Sequence, residues 1–169
     1  KNCAKLAAKL KGKDRVRVTD AKGTDFVCKI KDRRLNEDDG VVDDQDIELN
    51  DLGNNLPAGE LFIAPHETVG EGTIYCPITV DRLSNKLVKG VTIHFKGGKL
   101  LLDECMAETN REVMIESFKR CMDIDKKGKE VRTTNIAELG IGCNPAIDKA
   151  IGYILSDEKL GGSVHVAFG

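Results

Sequence analysis

Two runs near the end of the chain decide how the rest is read: Asn135-Ile-Ala-Glu138-Leu-Gly-Ile-Gly142 and Ser163-Val-His165-Val-Ala-Phe-Gly169. Glu138 is the only charge between Ile136 and Ile141, and His165 is the only ionisable side chain between Ser163 and Gly169. Both runs read as strands. Putting an ionisable group into an apolar strand costs several kcal/mol unless something pairs with it. A metal ion would account for both. On its own strand, His165 shares a face only with the small Ser163 and Ala167, which leaves room beside the imidazole. Val164, Val166 and Phe168 point the other way and can fill a core behind it.

A third strand carries a comparable group. Asn54-Asn-Leu-Pro-Ala-Gly59 is turn chemistry leading into Glu60-Leu-Phe-Ile-Ala64, closed by Pro65. Alternation puts Glu60 on the face of Phe62 and opposite Leu61 and Ile63. Two carboxylates and one imidazole suit zinc, cobalt or manganese better than calcium. Taken singly, the groups also have plainer readings. His165 fits a hydrogen-bonded core histidine, and Glu60 fits a strand-end carboxylate in water. No short motif such as His-Glu-x-x-His links the three.

Working outward, Lys1 to Leu10 sets Cys3, Leu6, Ala7 and Leu10 on one helical face. Arg15 to Thr19 alternates as a strand, Asp20-Ala-Lys-Gly23 is a turn, and Thr24 to Ile30 returns. Lys31 to Gly53 is polar and acidic. It lacks the strict calcium-loop pattern and reads as a solvated loop. Gly70-Glu-Gly72 separates the Glu60 strand from a strand over Thr73 to Val80. Val91 to Phe95 alternates cleanly, which turns His94 outward, and Lys96-Gly-Gly-Lys99 supplies a tight hairpin. Thr109-Asn-Arg-Glu112 has the form of a capping box before a helix that buries Met114, Phe118, Cys121 and Met122. Asn144-Pro145 has the form of a helix start, with the helix running to about Leu155. Strands, helix, strand, helix and strand in that order indicate an α+β fold with a mixed sheet, residues 1–169 forming a single domain.

At 169 residues, 40 % hydrophobic and 32 % charged, the composition is that of an ordinary globular domain. A net charge of −2 excludes a general basic surface for nucleic acid. The basic clusters Lys9–Lys13 and Lys126–Lys129 read as solvated. No apolar run approaches the roughly 18 residues of a membrane span. None of the six cysteines stands in a Cys-x-x-Cys pair, which argues against a structural zinc. Their apolar neighbours suit reduced core thiols, hence a cytoplasmic protein. Cys143 reads as a buried helix-entry thiol. Gly140-Ile-Gly142 lacks the rest of a dinucleotide fingerprint and reads as backbone turning close to the site. No Gly-x-Ser-x-Gly is present, and no Ser or Cys has an evident His partner.

Four blocks, Gly23-Thr-Asp25, Asn55 to Pro65, Glu138 to Pro145 and Asp157 to Gly169, resemble the thermophilic metallo-aminopeptidases, the aminopeptidase T or M29 family. The resemblance runs through most of the chain in the right order. It implies that Glu60, Glu138 and His165 are metal ligands, with two divalent ions (Zn, Co or Mn) and Glu138 between them. It implies a peptide substrate and a homodimer. The family's remaining ligands, a His-x-Asp pair, lie beyond the histidine strand, and an α/β domain precedes the blocks. The chain therefore reads as the central part of a longer two-domain enzyme or a fragment of one. Asp157-Glu-Lys departs from the Asp-Glu-Asn of the better-known peptidases and indicates a divergent branch. A ring-opening dioxygenase that acts on a dihydroxypyridine with one iron is related to the same family. Iron-dependent ring cleavage is thus the alternative to a metal-dependent aminopeptidase, and a non-catalytic binding module is the third reading.

Overall fold

The turn signals decide the first half of the fold. In the computed structural model, which describes residues 2–128 and 130–169 and only the backbone of Gln45, nine strands and four α-helices follow one another. Helix α1 spans Asn2–Leu10, and strands β1 Arg15–Thr19 and β2 Asp25–Lys29 form the first hairpin. The Asp20 carboxylate closes that turn, accepting the backbone N–H groups of Lys22 and Thr24 at 2.7 and 3.0 Å. Next come β3 Asn36–Asp38, a short helix α2 Asp44–Glu48, and β4 Glu60–Ile63. Strands β5 Gly70–Asp81 and β6 Lys86–Lys96 make a long hairpin, and β7 Lys99–Leu100 turns back from it. Gly97 and Gly98 sit at φ 58° and 77°, the left-handed pair that a two-residue hairpin turn requires. Helix α3 Arg111–Lys127, strand β8 Ile136–Gly142, helix α4 Ile154–Asp157 and strand β9 Val164–Phe168 complete the chain.

The α+β class holds, but the mixed sheet read from the sequence is two antiparallel sheets. Their orders are β1-β2-β5-β6-β7 and β3-β4-β8-β9. Hairpins set the direction of β1 with β2 and of β5 with β6 and β7 in the larger sheet, and a long connection brings β5 back antiparallel to β2. In the smaller one, β4, β8 and β9 are joined by long connections that still return antiparallel. The sheets share one core. Phe26, Val91, Ile93 and Phe95 of the first meet Ile63, Ile136 and Leu139 of the second. Phe95 lies 4.9 Å from Phe26 and 5.7 Å from Phe168 between ring centres, and Phe118 of α3 meets Phe168 edge-on. Helix α1 covers the other end of the small sheet with Cys3 and Ala7 against Leu61 and Cys143. Lys1 and Lys129, parts of the helix and of the basic cluster read from the sequence, lie outside the described residues.

Three local readings change. The loop over Lys31 to Gly53 contains β3 and α2, and Asp38 at the end of β3 is buried. Gly70-Glu-Gly72 is not a separator but the start of β5, with Gly72 paired to both Phe26 and Phe95. The capping box does not form. Thr109 Oγ1 instead accepts the Lys89 N–H of β6, and Asn110 starts the helix from a left-handed conformation without a side-chain cap. The helix after Asn144-Pro145 is absent as well. The Asn144 side chain accepts the Ala146 N–H in a local turn and donates to Ala58 O. Its backbone N–H is held by Lys159 O, so the chain there is tied to its neighbour before a helix can start. Helix is confined to α4, which the Asp157 carboxylate anchors to the N–H groups of Ile151 and Gly152.

Candidate metal centre

The small sheet has one apolar face and one polar face, and register explains why. Across β4 and β8, Glu60 stands opposite Gly142 and Phe62 opposite Gly140. Across β8 and β9, Gly140 stands opposite His165 and Glu138 opposite Ala167. Directly opposed residues share a face in an antiparallel pair. Glu60, Glu138 and His165 therefore project from the same side. Strict alternation would put Ile136 there too. A bulge between Ile136 and Glu138 lets Ile136 face the core while Glu138 faces away from it.

The three side chains converge. His165 Nε2 lies 2.9 Å from Glu60 Oε1 and 3.1 Å from Glu138 Oε1. One ligand atom from each residue lies within 4.8 Å of the other two. Glycine makes the space. A Cβ on Gly140 would stand 2.1 Å from His165 Nε2 and 2.8 Å from Glu60 Oε1. Its role is the missing side chain in a regular strand, rather than the backbone turn expected from the sequence. Beside the cluster lies a cleft of about 120 Å³, lined by Asn55, Glu60, Phe62, Glu138, Glu158 and Lys159.

Three charged residues of this site, Lys159, Glu158 and Asp38, escape the sequence reading. Lys159 is 0 % exposed and its ammonium is bonded to Glu60 Oε2. Glu158 Oε2 is 3.4 Å and Asp38 Oδ2 3.8 Å from the same nitrogen. Asp38 comes from the acidic stretch that reads as solvent-facing, where nothing distinguishes it from Asp39 or Asp43. Lys159 sits in the Asp157-Glu-Lys run. No periodicity marks a lysine for burial.

The electrostatics follow from burial against pairing. Burial pushes the Glu60 carboxyl up, but hydrogen bonds from His165 and then Lys159 outweigh it and hold Glu60 below the ordinary carboxylate value. Burial lowers His165, and its bonds to Glu138 and Glu60 reverse this and raise the imidazole to about 9. Lys159 is likewise lowered by burial and raised, on balance, by Glu60 first and then Glu158 and Asp38. Asp38 is raised by burial. The four carboxylates Asp38, Glu60, Glu138 and Glu158 face one ammonium and one imidazole. Even with the imidazole protonated, two negative charges remain.

His94, outward on β6, is hydrogen-bonded to Thr73 Oγ1 at 2.9 Å. All six cysteines are free thiols. Burial pushes Cys28 and Cys105 up to about 11, which makes them inert core residues.

A family model described as thermophilic metalloprotease (M29) matches residues 1–169. The chain belongs to this family. Among solved structures, wild-type AmpT from Thermus thermophilus is similar with a TM-score of 0.62 at 23 % identity, over 99 % of this chain and 38 % of that one. The 2,5-dihydroxypyridine dioxygenase from Pseudomonas putida KT2440 is similar with a TM-score of 0.62 at 16 % identity, over 92 % of this chain and 44 % of that one. At these identities the likeness is one of fold. The chain spans less than half the length of either protein. No functionally curated protein sequence matches it. Membership of the M29 family implies a divalent metal, and the cluster on β4, β8 and β9 is where a three-residue site can be built. Among the described residues, no helix is long and apolar enough to cross a membrane.

Proposed function

We propose that this chain is the metal-holding part of an aminopeptidase-like hydrolase, with Glu60, Glu138 and His165 as ligands to a divalent cation such as zinc, cobalt or manganese. The observation that carries this reading is the convergence of His165 Nε2 on Glu60 Oε1 and Glu138 Oε1 at 2.9 and 3.1 Å. Those separations suit donors around a small ion, since a tetrahedron with bonds of about 2.0–2.1 Å has edges of roughly 3.3 Å. A single N–H also cannot serve two carboxylates well, whereas a cation serves all three donors. The excess of negative charge points the same way. Three protein ligands with an open position is the pattern of a catalytic rather than a structural zinc.

When bound, such an ion lowers the pKa of its water toward neutrality and polarises a carbonyl. The protein's own part is to hold and to exclude. Glu60 is clamped between His165 and Lys159. Gly140 keeps the space clear, and Phe62 forms an apolar wall of the cleft. A peptide's free amine, being cationic, fits a cleft edged by Glu138 and Glu158. We read residues 1–169 as one folding unit of this hydrolase. Its free thiols are consistent with work in a reducing cytoplasm.

Metal analysis and amino-acyl p-nitroanilide assays test the proposal. A stoichiometric divalent ion that is lost in His165→Asn and Glu138→Gln, together with turnover of a free-amine substrate, is the expected result. A protein that retains zinc or cobalt equally well after both substitutions overturns it. Iron content with oxygen uptake on a dihydroxypyridine would transfer the site to ring cleavage.

A further inference from the structure

Lys159 is not a metal ligand, yet it is the most deeply buried charge near the site. Removing an ammonium from water is costly unless several partners offset it. Here the partners come from three places: Glu60 on β4, Asp38 at the end of β3, and the adjacent Glu158. The contact to Glu60 is selective. The ammonium takes Oε2, whereas Oε1 is the oxygen 2.9 Å from His165 Nε2. The two oxygens of one carboxylate are thus assigned to two different groups.

Asp38 stands behind this arrangement in a fixed pose. Its carbonyl accepts the Gly59 N–H at 2.7 Å, and its Oδ1 accepts the Asn55 N–H at 3.3 Å. Its Oδ2 is buried with no hydrogen-bond partner and lies 3.8 Å from the Lys159 nitrogen. Lys159 is in turn held at the backbone, where its carbonyl accepts the Asn144 N–H at 3.0 Å and its N–H donates to Ser156 O at 3.0 Å.

We propose that Lys159, backed by Asp38, is a positioning residue for the metal ligand Glu60: it occupies Oε2 so that Glu60 offers the ion Oε1 alone. This inference rests on the metal reading above. A one-oxygen donor leaves a coordination position open, which a carboxylate free to bind through both oxygens would fill. Partners of this kind, one step behind a ligand, typically change metal affinity about 10–100-fold when removed.

Cobalt titration of the purified protein, read by visible absorption and by calorimetry, is the test. Absorption of cobalt weakens as its coordination number rises, a readout that a merely structural lysine would not move. Lys159→Gln is expected to bind cobalt about 10–100-fold more weakly with a weaker, shifted spectrum. Lys159→Arg keeps the charge and is expected to restore much of the affinity. Asp38→Asn leaves the Lys159–Glu60 contact in place and is expected to fall between wild type and Lys159→Gln. An unchanged spectrum and affinity in a folded Lys159→Gln overturns the proposal. If that variant does not fold, wild-type behaviour of Asp38→Asn overturns it instead. A wild-type protein that binds no cobalt sinks the metal reading and this inference together. Loss of cobalt in His165→Asn but not in the Lys159 and Asp38 variants sinks this inference alone.

Discussion

The two sheets are built from the same kinds of strand, yet they spend their outer faces differently. In the larger sheet, Thr92 and His94 alternate with the buried Val91, Ile93 and Phe95, and the outward side is ordinary half-exposed surface. In the smaller sheet, both faces carry a burden. Leu61, Ile63 and Leu139 build the core, while the opposite side gathers Glu60, Glu138 and His165. The larger sheet is stabilised by what it buries. The smaller one holds charges that burial alone would expel, kept there by one another and by Lys159. Functional sites are where a fold departs from the rule that keeps charges in water.

The contrast predicts separable effects, which can be tested in descending size. Phe95→Ala removes the ring that joins Phe26 to Phe168. It should cost about 3–5 kcal/mol in urea denaturation, with little change in metal affinity of the folded protein. A large loss of affinity there would break the division between the sheets. Gly140→Ala puts a methyl group where His165 Nε2 and Glu60 Oε1 now sit. Calorimetry should show metal binding weakened on the order of 100-fold, about 2.7 kcal/mol, and exceeding the loss in fold stability. Glu138→Gln removes a proposed ligand whose side chain is 31 % exposed, so metal affinity should drop about tenfold or more while unfolding changes by less than about 1 kcal/mol.

The smallest effect belongs to a turn of the larger sheet. The Asp81 carboxylate accepts the Ser84 N–H at 2.8 Å and the Ser84 hydroxyl at 2.5 Å. Burial raises its pKa, but bonds from Ser117 and Ser84 outweigh burial and place it below the ordinary 3.8. A depressed carboxylate contributes stability that is present above the unfolded pKa and fades as pH falls below it. Asp81→Asn should therefore cost about 1 kcal/mol near pH 7, and less as the pH drops below about 3.8. Equal cost at pH 7 and pH 3, by urea midpoint, would remove Asp81 as the acid-sensitive point of this turn.

Local pattern carried much of the architecture. The alternation of Val91 to Phe95, the glycine pair at Gly97 and Gly98, and the helical face of Cys3, Leu6, Ala7 and Leu10 all appear in the fold because each depends on near neighbours. The same local logic failed at Thr109 and Asn144. At Thr109 the side chain fit for capping was claimed by the distant Lys89, and at Asn144 the local bond to Ala146 formed but the backbone N–H was tied to the distant Lys159. It failed again at Asp38, where burial depends on a strand pairing of only three residues with β4.

By itself, the sequence determined most strand faces, the turns at Asp20 and Gly97 and the three polar residues that do not belong in apolar strands. Period and turn chemistry are local, and an isolated charge among apolar neighbours is conspicuous. Only the tertiary structure decided that two antiparallel sheets share one core, that the bulge after Ile136 turns Glu138 to the side of Glu60 and His165, and that Lys159 and Asp38 lie behind Glu60. Those outcomes depend on register between strands distant in the chain and on charges that become stable only once their partners have been brought around them.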